Sequence, residues 1–347
     1  MKIILDAMGG DNAPQAIVDG AVRARQQLGV DITLVGDRDI VAAALKKSAP
    51  DADTLGIEIR HASEVIDMHE DPTNVIRVKK DSSMVVGLNM LKNGEGDAFV
   101  SAGSTGALLS GATLIVKRVR GIRRAAVAPL IPSESGGVLI IDSGANVECT
   151  PEMLLQFAYM GMFYAQGVLG KANPRIGLLS NGTEDTKGGA LRLETHKLLR
   201  EAHNAGAMNF IGNVEANDPI LGRCDVVVCD GFSGNILLKA SEGAATFVMN
   251  QLKLVFFKNK KSKLAALLIR RNLKSLRSLM NPDTVGGTVM LGIAKPVVKA
   301  HGSSKADAIF SAVKQAIAAV TANVAEKLAD NMAHLVVADT SSENPKE

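Results

Sequence analysis

Residues 174 to 188 read PRIGLLSNGTEDTKG. A proline opens a run, Ile176 to Leu179, that carries no polar side chain, and a polar cluster closes it. A strand with one wet face would alternate apolar and polar residues, so a continuous run predicts a strand covered on both faces. From Asn181 onward, NGTEDTKG supplies one amide, two carboxylates, two hydroxyls and an ammonium, with no cysteine or histidine. Helical periodicity then runs from 187 to 205.

The same unit recurs along the chain. Further apolar runs bounded by turn residues are KIILDA, DITLVGD, GIEIRHA, DAFVSAG, AVAPLIP, GVLIIDSG, NFIGNVE and DVVVCDG. Helical periodicity also covers 14 to 28, 82 to 93, 104 to 118, 151 to 169 and 304 to 328. Strands alternating with helices predict an α/β fold with a mainly parallel sheet and helices on both faces. A chain of 347 residues suits one large unit or two intimately joined lobes.

Hydrophobic residues make up 46% of the chain, which supports a large core, while aromatics are only 3% and tryptophan is absent. Packing therefore rests on Leu, Ile, Val, Ala and Met, and nucleic-acid binding by base stacking is disfavoured. Three cysteines, Cys149, Cys224 and Cys229, form no CxxC, as expected in a reducing compartment. Period-two alternation would send Cys224 and Cys229 to opposite faces of a strand, so no shared metal is expected. MKIILDAMGGD meets an acid at its sixth residue and does not resemble a signal peptide. The uncharged stretches 98 to 116 and 153 to 170 are long enough to raise a transmembrane question, but internal Gly, Ser, Thr, Gln and Tyr favour core elements.

Ligands of such sheets bind outside the carboxyl ends of the strands. The residues there form a set: DAMGGD at 6 to 11, SAGST at 101 to 105, DSGAN at 142 to 146, NGTEDTK at 181 to 187, GNVE at 212 to 215 and DGFSGN at 230 to 235. Each alone could be an ordinary capped loop, but six together, several opening helices, predict an anion site for phosphate or a phosphorylated ligand. GxxxxGK[ST], GxGxxG, GxSxG and HExxH are all absent, which argues against ATP chemistry, ordinary dinucleotide binding and the serine-hydrolase and zinc-protease signatures. Among the histidines only His301, in AHGSS, sits beside a glycine-hydroxyl loop.

From Lys253 to Arg277 no acid occurs. On a helical wheel Ala265, Leu268, Ile269, Leu273, Leu276, Leu279 and Met280 share one arc, Arg270, Arg271, Lys274 and Arg277 the opposite one, and Leu264 and Leu267 are exceptions. Lys263 adds to the charge. An apolar stripe facing a cationic one suits an anionic membrane, at about 1 kcal/mol per cation near the headgroups; a dimer partner or an acidic protein could equally cover it.

These motifs, in this order over almost the whole chain, resemble the bacterial phosphate acyltransferase family. The match is carried by DAMGGDNAP at 6 to 14, SAGSTGALL at 101 to 109, IDSGAN at 141 to 146, LLSNGTEDTKG at 178 to 188, GNVE at 212 to 215, DVVVCDGFSGNILLK at 225 to 239 and HGSS at 301 to 304. GGTVMLG at 286 to 292 departs from the family's GGAPLLG. The resemblance implies a three-layer α/β/α sandwich like that of the isocitrate and isopropylmalate dehydrogenases and phosphotransacetylase. It implies a homodimer that makes acyl-phosphate from acyl-[acyl carrier protein] and inorganic phosphate, without a cofactor or metal, at the opening of phospholipid synthesis. The product would pass to a membrane acyltransferase, placing the protein in the cytoplasm and peripherally on the membrane. The chain then reads as one catalytic unit over 1 to 337 with an inserted basic helical segment at 252 to 281, and a disordered tail at 338 to 347.

Phosphate is already an anionic nucleophile and a thiolate a competent leaving group, so fixed dipoles and one ammonium suffice. On that basis Lys187 is expected at the phosphate. Backbone N–H groups around Gly103, Ser104, Thr105 and Gly106 and around Ser143, Gly144 and Asn146 would complete the cradle, with Asn181 and His301 nearby. Asn235 is the candidate oxyanion donor or thioester orienter, and Asp230 and Glu184 would orient Lys187 or Asn235. Two other readings compete: a metal- and NAD-dependent decarboxylating dehydrogenase of the same fold, and a non-enzymatic scaffold recruiting partners to the membrane.

Overall fold

The computed structural model describes residues 1–50, 55–273 and 287–331. The strands are β1 (Lys2–Asp6), β2 (Asp31–Gly36), β3 (Glu58–His61), β4 (Ala98–Ser101), β5 (Ala126–Ala128), β6 (Leu130–Ile131), β7 (Val138–Ile141), β8 (Ile176–Leu179), β9 (Phe210–Val214), β10 (Val226–Val228), β11 (Thr288–Leu291) and β12 (Val297–Lys299). They build two sheets, not one. The first has the order β3-β2-β1-β4-β12-β11-β5, parallel except for β11; the second has the order β6-β7-β10-β8-β9, parallel except for β6.

Pro129 divides the two. The run AVAPLIP, which reads as one strand, puts β5 in the first sheet and β6 in the second, because a proline cannot donate to a ladder. Its carbonyl instead accepts from Ile140 N–H at 3.0 Å. The strands β11 and β12, the former inside the departing GGTVMLG segment, are additions to the pattern the sequence predicts.

Both faces of each sheet are covered, as continuous apolar runs require. Ile3 and Leu5 of β1 pack with Ile17, Val18, Ile309 and Val313, whereas Ile4 and Phe99 pack with Met84 and Leu88. In the second sheet Leu139 and Ile141 join Phe157 and Tyr164, and Val138 and Ile140 join Leu237. The layers are those of an α/β sandwich. Both strand-end thiols, Cys224 and Cys229, lie in that last cluster. The strand between them is only three residues long, so alternation does not reach Cys224. The stretch 153 to 170 is mostly the buried helix Pro151–Gly167, and 98 to 116 is β4 with the helix Thr105–Val116. Ala306–Asp330 is long and apolar enough to cross a membrane, yet Ile309, Val313 and Leu328 within it are core residues.

The helix Gly231–Phe257 is different. It spans 27 residues, about 40 Å at 1.5 Å per residue, and buries only Gly231, Gly234 and Leu237. The chain breaks at Lys258 and Asn259, before every residue placed on the wheel. Asn259 accepts from Ser262 N–H at 2.9 Å and starts a new helix, Lys260–Leu268. That helix ends at Ile269, inside the stretch the wheel treats as one helix; Leu264 and Leu267 are 61% and 64% exposed, and Leu268, assigned to the apolar stripe, is 80% exposed. Lys263, Arg270 and Arg271 are exposed and Leu273 is half-buried, while Lys274, Leu276, Arg277 and the tail from 338 lie outside the described residues.

Candidate active site

Three strands of the first sheet end at one buried polar cluster. Ser101, closing β4, donates its hydroxyl to Asp6, closing β1, at 2.6 Å, and accepts from Gly103 N–H at 3.0 Å. Met8 N–H donates to the other Asp6 oxygen at 3.2 Å. Burial raises the Asp6 carboxyl above its ordinary range against these donors. Lys299, closing β12, is buried and donates its ammonium to the carbonyls of Ala102, at 3.3 Å, and Ala300. Burial pushes it down to about 8, with Asp6 and Asp11 acting the other way.

The loops after these strands are locked to one another. Asp11 N–H donates to Gly302 O at 2.8 Å, and Asn12 reaches Ser303 O at 3.0 Å and Ser304 O at 3.2 Å. Gly10 adopts a left-handed φ of +97°, and a Cβ there would stand 2.9 Å from both Ala102 Cβ and Gly302 O; no other residue fits. His301 lies on this side, exposed, its Nδ1 at 2.9 Å from Ser303 Oγ.

The second sheet ends in a denser network. Asp142 is fully buried and accepts from Val127 N–H at 2.8 Å, Ser143 N–H at 2.7 Å, Asn146 N–H at 2.6 Å and Asn146 Nδ2 at 3.0 Å. Burial outweighs these donors and raises its carboxyl above the ordinary value. The chain after β10 seals the loop: Gly231 N–H donates to Asn146 O at 2.7 Å. A Cβ on Gly234 would lie 1.9 Å from Asp142 O, so only glycine lets the long helix start there.

Asp230 caps that helix, accepting from Ser233 N–H and Oγ, both at 2.9 Å, and pairs with Arg192. Arg192 also donates to Ser233 Oγ at 3.0 Å. Burial alone would raise Asp230, but Ser233 and Arg192 outweigh it and hold the carboxyl below its ordinary value. Cys149 faces the same groove, about 540 Å³ in volume and lined also by Leu191, Arg192, Asp230, Phe232 and Ser233. Burial, with Asp142 and Asp230, pushes its thiol up to about 12.

The residues named from sequence thus fall into two groups. Gly103, Ser104, Thr105, Gly106 and His301 belong to the first-sheet edge; Ser143, Gly144, Asn146, Asp230 and Asn235 belong to the second, with a Cβ on Gly144 lying 4.0 Å from Asn235 Oδ1. Ser104 caps its own helix through Ala107 N–H. Asn181, Glu184 and Lys187 lie on the exposed NGTEDTK loop, where Glu184 O accepts from Lys187 N–H at 3.0 Å and from Asn213 Nδ2 at 2.7 Å. Asp230 and Glu184 were expected to orient Lys187 or Asn235. No side-chain hydrogen bond or ion pair joins them among the described residues, because Arg192 takes Asp230. The expected amide cradle also needs revision: the N–H groups of Gly103, Ser143 and Asn146 are already occupied by Ser101 and Asp142. Ser143 Oγ, buried and without a partner, remains available.

Sequence reading missed Arg192, Lys299, Arg118 and Arg124. The last two line a second cavity, of about 230 Å³, together with Leu109, Thr113, Ala145 and Asn146. Only Arg118 and Arg124 had a visible signal, the run KRVRGIRR at 117 to 124.

Parallel strands ending in buried carboxylates, with Arg192, Lys299 and the unpartnered Ser143 hydroxyl beside them, belong to an α/β fold shared with the phosphotransacetylases. A phosphotransacetylase from Streptococcus pyogenes superposes with a TM-score of 0.58 at 18% identity over 94% of each chain, and a branched-chain phosphotransacylase from Enterococcus faecalis with 0.56 at 16% identity over 92% of this chain and 99% of that one. The chain belongs to the fatty acid synthesis protein family, whose model matches residues 1–327. It is 45% identical to the phosphate acyltransferase of Thermoanaerobacterium thermosaccharolyticum over 91% of this chain and 92% of that one. It is 43% identical to that of Acetivibrio thermocellus over 98% of both.

Proposed function

We propose that this chain transfers a long-chain acyl group from acyl-[acyl carrier protein] to inorganic phosphate. A phosphate oxygen attacks the thioester carbonyl, the carbon–sulfur bond breaks, and the proton of hydrogen phosphate ends on the departing thiol, leaving acyl-phosphate. The observation that carries the direct route is the state of the groove beside Asp230. Its only thiol is pushed up to about 12, and a thiol so rarely ionised is a poor nucleophile. Asp230 is saturated by Ser233 and Arg192 and lies below its ordinary value, which suits a fixed counter-charge and not a base.

In this reading Lys187 and Arg192 supply positive charge at the phosphate, and Ser143 Oγ and Asn235 stand by the thioester carbonyl. Each preorganised donor to the oxyanion contributes about 3 kcal/mol. One α/β unit carries the reaction, and its shared core across both sheets supports that. The exposed apolar residues of the helix Gly231–Phe257, among them Phe247, Leu254 and Phe257, support a homodimer joined along it. The tip Lys260–Leu268, with no buried residue, would rest on the membrane, where the cytoplasmic enzyme hands acyl-phosphate to a membrane acyltransferase.

The test is to incubate the protein with a long-chain acyl carrier and radiolabelled phosphate and extract the lipid phase. Label should appear there, and Lys187→Ala and Asn235→Ala should lower its rate about 100-fold or more. Acyl chain trapped covalently on the working protein, or near-normal turnover by both folded variants, would overturn the assignment.

A further inference from the structure

The loop KRVRGIRR, 117 to 124, holds five cations in eight residues and no acid. It is not a loose tail. Val119 and Ile122 are buried, Val119 N–H donates to Gly292 O at 2.9 Å, and Lys117 O accepts from Ala294 N–H at 2.9 Å. Gln156, itself buried, accepts from Arg123 N–H at 2.9 Å and donates to Gly121 O at 3.1 Å. Lys117 takes a left-handed φ of +76°, unusual for a side chain with a Cβ. Arg123 pairs with Glu152 at 3.5 Å; among the described residues the other four cations form no ion pair.

So much like charge on a fixed backbone is costly by itself, and ordinary solvent faces mix signs. Beneath it lies the 230 Å³ cavity. Arg118, Arg124, Leu109 and Thr113 line it together with Asn146 of the second-sheet site, whose Nδ2 donates to Ala125 O at 2.8 Å, one residue beyond Arg124. One cavity thus brings together two arginines, a partly apolar wall and a residue of the candidate centre.

We propose that this groove docks the phosphorylated prosthetic arm of an acidic acyl carrier. Arg118 and Arg124 take the phosphodiester of the arm, Leu109 and Thr113 flank its body, and the thioester is delivered beside Asn146 and Ser143. The unpaired Lys117 and Arg120 face the acidic surface of the carrier. The inference rests on the acyl-transfer reading and names the partner's route into that site. Charge complementarity favours a protein over a bilayer here, because the apolar residues of the loop point inward, whereas interfacial binding needs apolar and cationic groups on one exposed face.

Arg118→Ala and Arg124→Ala, with Arg118→Lys and Arg124→Lys as conservative controls, test this. Carrier affinity is measured by calorimetry with the thiol-bearing carrier, and KM is measured for the acyl carrier and for phosphate. Each alanine should weaken carrier binding and raise its KM about tenfold, flatten the salt dependence and leave KM for phosphate within twofold, with partial recovery in the lysine variants. Unchanged carrier affinity in variants whose circular dichroism matches wild type overturns the proposal. A rise confined to the KM for phosphate would assign the arginines to orthophosphate. Loss of binding to anionic vesicles with carrier binding intact would assign them to lipid; either result also overturns it. If the protein binds carrier through these arginines yet forms no acyl-phosphate, docking stands and the catalytic reading falls; acyl-phosphate formation with carrier affinity untouched gives the converse.

Discussion

Lys299→Met should change how stability depends on pH, and the sign can be worked out. The ammonium is buried at the end of β12 and pushed down to about 8, against 10.5 when exposed. Between those values the unfolded chain holds a proton that the folded chain has shed, so stability rises with pH there. Below about 8 both states are protonated and the folded state bears the full penalty. A fall from 10.5 to about 8 corresponds to about 3 kcal/mol at about 1.4 kcal/mol per pH unit.

Methionine removes that penalty but also loses the bonds to Ala102 O and Ala300 O, each about 1 kcal/mol net. The variant should therefore be more stable by about 1 kcal/mol at pH 7 and less stable by about 2 kcal/mol near pH 10.5. Cys149 and Cys224, both pushed up to about 12 from 9, act oppositely: their contribution is present below 9 and is lost as pH climbs toward 12. They are common to both proteins and cancel in the difference. Urea unfolding of wild type and variant at half-unit steps from pH 7 to 10.5 gives the comparison. A difference that stays flat across pH 8 to 10.5 would refute the argument.

Asp142→Asn should lower stability by about 3 kcal/mol, since an amide cannot accept from every donor that meets the carboxylate; thermal unfolding and acyl-phosphate formation should both fall. Arg192→Ala leaves Asp230 buried without its partner and should cost about 3 kcal/mol, with the Asp230→Ala double variant costing less than the sum of the singles in denaturant titrations. Gly234→Ala drives a Cβ into the Asp142 carbonyl and should be poorly folded by circular dichroism, whereas Gly243→Ala, with open space around it, should be neutral or slightly stabilising. Leu264→Glu with Leu268→Glu should abolish sedimentation with anionic vesicles while shifting Tm by less than about 2 °C, both side chains being solvent-facing.

Strands buried on both faces declare themselves in sequence, which is why eight of the nine runs found their places in the sheets; the ninth, GIEIRHA, forms the largely exposed edge strand β3. β12 did not, because three residues ending in a lysine read as polar, and the burial of Lys299 is visible only once β1 and β4 flank it. β11 hid in a glycine-rich segment, and Pro129 looked like an interruption of one strand when it marks the passage between two sheets. Asp142 and Asp230 were legible as acids at strand ends. What they bind was not, since Arg192 reaches Asp230 across 38 positions of chain. The cationic helix pattern failed at Ile269, where the helix Lys260–Leu268 stops, an interruption that a wheel cannot register.

The IDSGAN loop has a consequence for how affinity is used. Its own aspartate meets the amides that an incoming anion would otherwise have had to order, so the turn keeps its shape in the empty enzyme. On the proposed acyl-transfer reading, substrate then arrives at a finished floor, and interaction energy that would go into organising a floppy turn is left to hold the two reactants together.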